Sequence, residues 1–446
     1  MSRGSSGAPR PAVTGANLAP GASFDPWWWE AVPAIEGDQS PLPARSDVAI
    51  VGGGYTGLSA ALTLSRAGRS VIVFEAQRLG HGASSRNGGM IGSGHRLGFA
   101  ALTAQLGRPG AVAIFREGLA SLDFTTALIE REGIDCHLDH CGRFRAAWRA
   151  RDFETMAREI EELRREIDIE ADVVPKTEQH REVNTDCYHG GIVYHRHGAL
   201  HPGLFHAGLL ARARAAGARI ANRCPVTAIT PESGGFMLAT ARGRVDARHV
   251  IVATNGYTGP ESPDLRRRLV PLSSYLIATE PLAAAEISNL IPGGRMIVET
   301  RSRHCYYRAS PDGRRILFGG RAALSAIGPV PAAERLRKLL VQVFPSLAQT
   351  RLTHSWSGRI AFPRDQMPHI GVAGGIHYAL GYSGSGVAMA PYFGHKVALK
   401  VLGAADGQTA FDTVPFPAIP FHRGRPWFLP LLDVSYRVRD WMEGSA

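Results

Sequence analysis

The residues best suited to chemistry lie at positions 52–57, which read Gly-Gly-Gly-Tyr-Thr-Gly and match the G-x-G-x-x-G motif. Apolar residues before the motif predict a strand, and alanine-rich residues after it predict a helix. In that setting the motif binds a dinucleotide. Gly52 permits the tight turn, Gly54 lets the backbone approach a pyrophosphate, and Gly57 allows the helix to pack closely on the strand.

A carboxylate stands where the ribose of an adenosine is expected. Glu75 ends the second predicted strand, over 70–74, so that a strand–helix–strand unit of about thirty residues is complete. A carboxylate at that point can accept hydrogen bonds from ribose hydroxyls. Together with the glycine motif, Glu75 predicts a dinucleotide site, but these two features do not distinguish NAD from FAD.

Two further glycine-rich stretches favour FAD. Residues 80–94 have so little side chain that the backbone can pass close to a flat ligand, and Ser84, Ser85, Arg86 and Asn87 offer polar groups within them. Residues 381–387 lead into an apolar helix whose N-terminus carries unpaired N–H groups and partial positive charge. That charge would stabilise a reduced flavin, whereas NAD would not need it.

These stretches, with residues 48–57, 82–89, 200–202, 253–256, 365–371 and 381–386, resemble the D-amino-acid oxidase superfamily. Within it the chain is most similar to the gamma-glutamylputrescine oxidoreductase branch, from about residue 25 to the end. The resemblance implies a two-domain flavoprotein that dehydrogenates an amine to an imine, which water then hydrolyses. The expected FAD-binding residues are Gly52, Gly54, Tyr55, Thr56, Gly57, Glu75, Ala76, Ser84, Ser85, Arg86, Asn87, Gly88, Val226, Ala253, Thr254, Gly384, Ser385, Gly386 and Val387.

Departures from relatives refine the chemistry that the resemblance implies. Residues 357–362 contain no Cys at the stretch where sarcosine oxidases attach their flavin, so we expect non-covalent FAD. Ala388 stands in place of their carboxylate-binding Lys, and Ser310 in place of the strand Arg of glycine oxidases. Arg308 could take over that role only if its side chain pointed at the flavin. We therefore expect a small amine substrate and poor turnover of α-amino acids.

Three tyrosines are the candidate catalytic residues. Tyr275 and Tyr307 lie on strands expected to roof the site, and Tyr382 lies beside the flavin loop. Flavin amine oxidation needs a deprotonated amine held in place rather than a strong acid or base, so tyrosines that position the amine would suffice. The alternative for each is an ordinary aromatic side chain of a sheet. His201, before Pro202, is expected to be a structural turn residue.

The expected fold is α/β, with a Rossmann-like FAD-binding domain interleaved with an α+β substrate-binding domain built on a mixed sheet. The FAD-binding domain is predicted over 47–95, 196–262 and 354–446, and the substrate-binding domain over 96–195 and 263–353. Residues 1–46 are predicted to be a flexible arm. We expect Trp27, Trp28 and Trp29 in this arm to pack onto the body of the protein, a lid or an oligomer contact being the alternatives.

Composition excludes several other classes of function. Lys plus Arg outnumber Asp plus Glu by 50 to 39, but the basic residues are scattered and no nucleic-acid motif accompanies them. The five cysteines form no C-x-x-C pair, which argues against a zinc site and a disulfide framework and favours a reducing compartment. No long apolar run is present, so we expect a cytoplasmic, soluble enzyme.

The electron acceptor and several competing functions stay open at this point. Molecular oxygen or another acceptor would reoxidise the flavin. An amino-acid oxidase, a dehydrogenase that feeds a membrane acceptor, and an FAD-binding protein without turnover are the alternatives. Residues 426–432 could touch a membrane, but two prolines disfavour an amphipathic helix there, so packing against the body is expected.

Overall fold

The computed structural model describes residues 15–32, 35, 37–301, 304–424 and 426–429. Within them lie strands and helices that form two large sheets with helices between and around them. The strands are β1 Leu18–Ser23, β2 Arg45–Val51, β3 Val71–Phe74, β4 Met90–Ile91, β5 Arg143–Ala146, β6 Ala171–Val174, β7 Gly191–Tyr194, β8 Gly198–Ala199, β9 Arg219–Ala221, β10 Val226–Glu232, β11 Gly235–Thr240, β12 Gly243–Val252, β13 Val270–Thr279, β14 Met296–Glu299, β15 Tyr306–Ala309, β16 Ile316–Gly320, β17 Leu352–Phe362, β18 His369–Ala373 and β19 Ile376–Leu380.

The α-helices alternate with these strands along the chain. They are α1 Tyr55–Arg66, α2 Phe99–Arg131, α3 Ala150–Glu166, α4 Pro202–Ala215, α5 Pro263–Arg266, α6 Ala284–Leu290, α7 Pro329–Val343 and α8 Gly386–Leu402. None of the helices in the described ranges is long and apolar enough to cross a membrane.

The first sheet has the pattern of a dinucleotide-binding core. Its strands run in the order β10-β11-β12-β2-β3-β9, with β19 beside β12 and β18 beside β19. β2 pairs in parallel with both β3 and β12, and β3 pairs in parallel with β9. Val48, Ala49 and Ile50 are fully buried, as expected for a parallel strand covered on both faces. α1 packs on this sheet against α4 and α8.

The second sheet is mixed and has nine strands in the order β1-β17-β13-β16-β15-β14-β5-β7-β6. Most neighbours are antiparallel, while β14 pairs in parallel with β5 and β1 with β17. Apolar residues of α7, among them Leu336 and Leu340, cover one face of this sheet against Ile277 and Phe318. The opposite face of β13 and β15 is turned toward the first sheet and its loops.

Two of the expected domain limits are corrected by this pairing. β17 belongs wholly to the nine-stranded sheet, so the boundary expected at residue 354 moves to about residue 362. The flexible arm expected over 1–46 is wrong for residues 18–31, because β1 extends the nine-stranded sheet and a 3-10 helix, Trp27–Ala31, follows it. The predicted packing of the indoles is confirmed for Trp28, which is completely buried.

The C-terminal segment is described only in part. Leu429 packs against Leu272 and Leu324, in keeping with the expected packing against the body, while Trp427 is largely exposed. Residues 430–446, which include the rest of the segment considered for membrane contact, lie outside the described residues.

Candidate functional site

A single cavity of about 1320 Å³ runs between the two sheets, which is larger than the roughly 1,000 Å³ at the upper end of common ligand sites. Among the expected FAD-binding residues, all except Gly57 and Ser85 line it. The sequence-predicted cofactor residues, which lie far apart along the chain, are thus brought together around one space.

The glycine motif has the geometry that a close backbone approach requires. Gly52 has a φ of +110°, and a Cβ there would lie 2.7 Å from the carbonyl oxygen of Ala253. A Cβ on Gly57 would lie 1.9 Å from the carbonyl oxygen of Gly52. Gly57 therefore lets α1 pack against the turn and does not reach the cavity, which is the packing role expected from the motif.

The N-terminus of α1 opens into the cavity. Its N-cap is Gly54, which provides no side-chain cap, and the Tyr55 N–H donates to Ser84 Oγ across 3.0 Å. The other first-turn N–H groups have no acceptor within the helix, so they are suited to a pyrophosphate. The segment at 54–56 and the loop around Ser84 therefore form a cradle that fits an anionic cofactor.

Glu75 lies at the far end of this cradle, near Val226. One carboxylate oxygen accepts from the Gly53 N–H at 3.1 Å and the other from the Gln77 N–H at 3.0 Å. Burial raises the pKa of the Glu75 carboxyl, and these backbone donors oppose that effect. With its orientation fixed by two backbone bonds, the side chain lines the cavity where ribose hydroxyls are expected.

The N-terminus of α8 meets the same cavity from the other side. Its N-cap Ser385 makes no side-chain capping bond, and Gly384 adopts a φ of +103°. Gly386, Val387 and Ala388 all line the cavity, so the uncapped N–H groups and the positive end of the helix dipole face it. This arrangement fits the expected stabilisation of a negatively charged reduced flavin.

Tryptophan side chains fasten the loop at 83–88 from behind. Trp28 Nε1 donates to the carbonyl oxygen of Asn87 at 2.8 Å, and Trp356 Nε1 to that of Arg86 at 2.9 Å. Trp29 Nε1 donates to Ser85 Oγ at 2.8 Å. This explains why Ser85 is buried and does not line the cavity. The indoles add to bonds within the loop, where Asn87 Nδ2 donates to the carbonyl oxygens of Ala83 and Ser84, and the sequence did not reveal the part played by the indoles.

Two of the three candidate catalytic tyrosines face away from the cavity, so their expected position is wrong. Tyr275 Oη accepts from the Ile327 N–H at 2.8 Å, and Tyr307 Oη lies 2.9 Å from Tyr188 Oη. Both belong to the apolar core beneath α7. Because successive side chains of a strand point to opposite faces, their neighbours are the ones that face the cavity.

Ser273, Ser274 and Leu276 of β13 and Tyr306 of β15 line the cavity. The Tyr306 ring packs directly on the cofactor loop, since a Cβ on Gly88 would lie 2.8 Å from Tyr306 Cε2. Its hydroxyl lies 3.3 Å from Ser274 Oγ. Burial raises the pKa of Tyr306 to about 12, so the side chain is a neutral phenol at physiological pH.

Tyr382, the third candidate, does line the cavity. Its hydroxyl lies 2.7 Å from Thr56 Oγ1, and this bond joins the loop before α8 to the first turn of α1. Burial raises the pKa of Tyr382 far above its usual range, so the phenol keeps its proton. The bond assigns Tyr382 to the positioning of the two helix N-termini.

The residues considered for a substrate carboxylate do not reach the cavity. Arg308 Nη1 donates to the carbonyl oxygens of Gly89 and Leu200 at 2.9 and 3.0 Å, and neither Arg308 nor Ser310 is part of the lining. His201 is a helix N-cap whose Nδ1 accepts from the Leu204 N–H at 3.1 Å, which confirms its structural role.

Sequence reasoning missed a cationic end of the cavity formed by Arg143, Arg145 and Arg301, with His304 beside them. Arg143 and Arg145 are two residues apart on β5 and share a face, while Phe144 between them is buried in the core. The alternation of charged and apolar residues along β5 was the sequence signal that could have revealed this end of the cavity. Burial and nearby arginines lower the pKa of His304 to about 3, so it is neutral.

Comparison with known proteins gives three consistent findings. The model of the DAO family, described as FAD dependent oxidoreductase, matches residues 47–399. Gamma-glutamylputrescine oxidoreductase of Escherichia coli (strain K12) is 31% identical over 399 residues, covering 88% of this chain and 92% of the relative. The probable oxidoreductase OrdL of Rhizobium meliloti (strain 1021) is 30% identical over 433 residues, covering 95% and 98%.

Similarity extends to solved structures. Glycine oxidase from Geobacillus kaustophilus superposes with a TM-score of 0.70 at 22% identity, covering 85% of this chain and 100% of that one. At this identity the likeness concerns the fold alone.

Proposed function

The chain belongs to the DAO family of FAD-dependent oxidoreductases, and from that premise we propose that it oxidises the C–N bond of a small amine. FAD is its cofactor, as the sequence predicts, and when bound it supplies the hydride acceptor. The product would be an imine that water hydrolyses, with molecular oxygen as the final electron acceptor. A relative named for gamma-glutamylputrescine supports an amine as the substrate.

The observation that carries the preference for an amine over an α-amino acid is the orientation of Arg308. Its guanidinium donates to the backbone carbonyls of Gly89 and Leu200 instead of entering the cavity. An α-carboxylate beside the reacting carbon would then lose its hydration without gaining a cationic partner, at a cost of several kcal/mol. Ala388, which lines the cavity, offers no cation either.

The side chains of β13 and β15 that line the cavity are neutral. Tyr306 is a protonated phenol beside Ser274 Oγ, and Leu276 provides an apolar wall. Such groups can orient an uncharged amine by hydrogen bonds and exclude water, which is what the reaction requires of the protein. An acid or base is not needed there, because the amine itself supplies the lone pair.

The test is anaerobic reduction of the purified flavoprotein, followed in a stopped-flow spectrophotometer. Putrescine and glutamylated amines should bleach the flavin faster than glycine, sarcosine or D-alanine at equal concentration. Faster reduction by the three amino acids would overturn the proposal. Buffer without substrate controls for photoreduction, and readmission of oxygen measures whether oxygen restores the flavin spectrum at a rate that supports turnover.

A further inference from the structure

Arg143 is a cation in the cavity without a counter-charge. Its guanidinium lines the cavity, yet no carboxylate of the described chain lies within ion-pair distance of it. Its Nε is buried and has no hydrogen-bond partner among the described residues. Burial lowers the pKa of Arg143 to about 10, so the side chain still carries its positive charge at neutral pH.

Neighbouring cations of the same cavity are paired, which makes Arg143 distinctive. Arg145 Nη1 lies 3.4 Å from Glu159 Oε2, and Arg301 forms a bidentate pair with Glu299. Arg143 and Arg145 lie two residues apart on the same face of β5, so they are close neighbours in the cavity. The charge of Arg145 is compensated by the protein, and that of Arg143 is not.

Two glycines and a histidine lie beside Arg143, and none of them supplies a negative charge. A Cβ on Gly92 would lie 3.1 Å from Arg143 Nη2 and 2.8 Å from His197 Nδ1, and one on Gly94 would lie 3.8 Å from Nη1, so the glycine backbone packs closely on the guanidinium. His197 Nε2 accepts from the Ser93 N–H at 3.2 Å, and burial and the charge of Arg143 lower the pKa of His197 well below its usual range. The imidazole is therefore neutral and supplies no charge that could compensate Arg143.

Such an arrangement destabilises the empty protein and favours an anionic ligand. A desolvated charge without a partner costs free energy, and a guanidinium recovers that cost best by binding a carboxylate through two parallel hydrogen bonds. Pairing the charge with substrate instead of with a protein carboxylate would make the site selective for molecules that carry a negative group.

The position of Arg143 fixes how far that group must lie from the reacting amine. Gly88 packs on Tyr306 at the expected flavin, and Gly92 packs on Arg143. Tyr306 lies on β15 and Arg143 on β5, and β14 lies between these two strands. Because neighbouring strands are about 4.8 Å apart, the two backbones are separated by roughly 10 Å across the sheet. An α-carboxylate, which is bonded directly to the reacting carbon, cannot cover that separation, whereas the far end of an extended amine can.

We propose that Arg143 binds a carboxylate at the far end of the amine substrate, so that the enzyme selects amines with a remote acid group. This inference rests on the proposed amine oxidation and specifies its substrate class. The carboxylate would occupy the part of the cavity that Arg143, Gly92, Gly94 and the neutral His197 line.

The experiment compares straight-chain ω-amino acids of increasing length, each with its own carboxamide, as reductants of the flavin in the holoenzyme. With native protein the acid should bind at least tenfold more tightly than its amide, the magnitude expected for a hydrogen bond to a charged group. Arg143→Gln should abolish that difference without weakening the amide. Arg248→Gln, which removes an exposed charge on β12, should retain it.

A second set of measurements tests carboxylate binding without relying on flavin reduction. Unreactive dicarboxylates such as glutarate should perturb the flavin spectrum of the native protein and of Arg143→Lys, but not that of Arg143→Gln. Arg143→Met should melt at the same temperature as native protein or higher, because it removes an unpaired charge. Equal binding of acids and amides by native protein, or no response to dicarboxylates, overturns the inference. Failure of every amine to reduce the flavin would overturn only the proposed reaction.

Discussion

Trp28 donates its indole N–H to the carbonyl oxygen of Asn87 across 2.8 Å, which ties the start of the chain to the loop expected to hold the flavin. The ring is completely buried against Leu276, Leu317 and Trp356. The N-terminal segment is therefore part of the cofactor site although it contributes no side chain to the cavity.

Trp28→Phe should weaken FAD retention while leaving the fold intact. The change keeps most of the apolar contact but leaves the Asn87 carbonyl without its donor, at a cost of about 1 kcal/mol. We expect roughly fivefold weaker FAD binding in equilibrium dialysis of the deflavinated protein. Trp427→Phe alters an exposed indole and serves as the control. Equal affinity in both variants would show that the indole does not support the loop.

Gly57→Ala should abolish FAD binding. The added Cβ would lie 1.9 Å from the Gly52 carbonyl oxygen, so α1 would have to move away from the turn that receives the pyrophosphate. The ratio of flavin to protein absorbance after purification measures the effect. Gly294→Ala, at a glycine of positive φ whose Cβ would meet no atom within 4 Å, should cost only backbone strain and leave flavin content normal.

Acid precipitation should release all the FAD into the supernatant. Residues 357–362 contain no Cys, and the side chains that line the expected flavin position provide no thiol. Absorbance of the supernatant and of the redissolved pellet gives the two fractions. Yellow colour that stays with the pellet through a second precipitation would contradict the expectation of a non-covalent cofactor.

Tyr306→Phe should slow flavin reduction by roughly tenfold or less, the effect expected from one positioning hydrogen bond. Tyr275→Phe and Tyr307→Phe should leave that rate unchanged, because both hydroxyls face the core beneath α7. These two variants should instead lower the melting temperature, since each removes a buried hydrogen bond. If the flavin of either variant is reduced more slowly than that of Tyr306→Phe, the conclusion that Tyr306, and not its neighbours, positions the amine is wrong.

Flavin reduction should rise with pH through a single ionisation, that of the bound amine, because only its uncharged form has a lone pair to donate. Burial sets the pKa of His304 at about 3 and that of Tyr306 at about 12, so neither titrates between roughly pH 5 and 10. Reduction rates measured across that range should fit one pKa that changes with the amine. A second pKa that disappears in His304→Gln would contradict this.

Local sequence was sufficient for the strand, turn and helix around residues 52–57, because glycine spacing and apolar runs determine that unit almost alone. The two-domain arrangement, with a mixed sheet in the substrate-binding domain, was expected from the resemblance of the glycine-rich motifs to a known flavoprotein family. The family, the α/β fold and the use of FAD were accordingly predicted correctly.

Features that depend on distant packing were not predictable in the same way. Tyr306 and Tyr307 are adjacent, and which of them faces the cavity depends on the side of β15 that α7 covers. β1 reads Leu-Ala-Pro-Gly-Ala-Ser, a composition that disfavours strands, and only pairing with β17 makes it one. Arg143 was overlooked because its lack of a partner is visible only once the folded neighbours are known.

The pairing of β1 with β17 also constrains the order in which the molecule can assemble. Asn17 Nδ2 donates to the Gln349 carbonyl oxygen across 332 positions of chain, so the first described residues find their partners only after the intervening residues have been synthesised. Until then Trp27, Trp28 and Trp29 have no sheet to dock on, and the loop they fasten cannot be secured. Secure capture of FAD should therefore wait until β17 has been synthesised, and until then the three indoles of the nascent chain stay exposed.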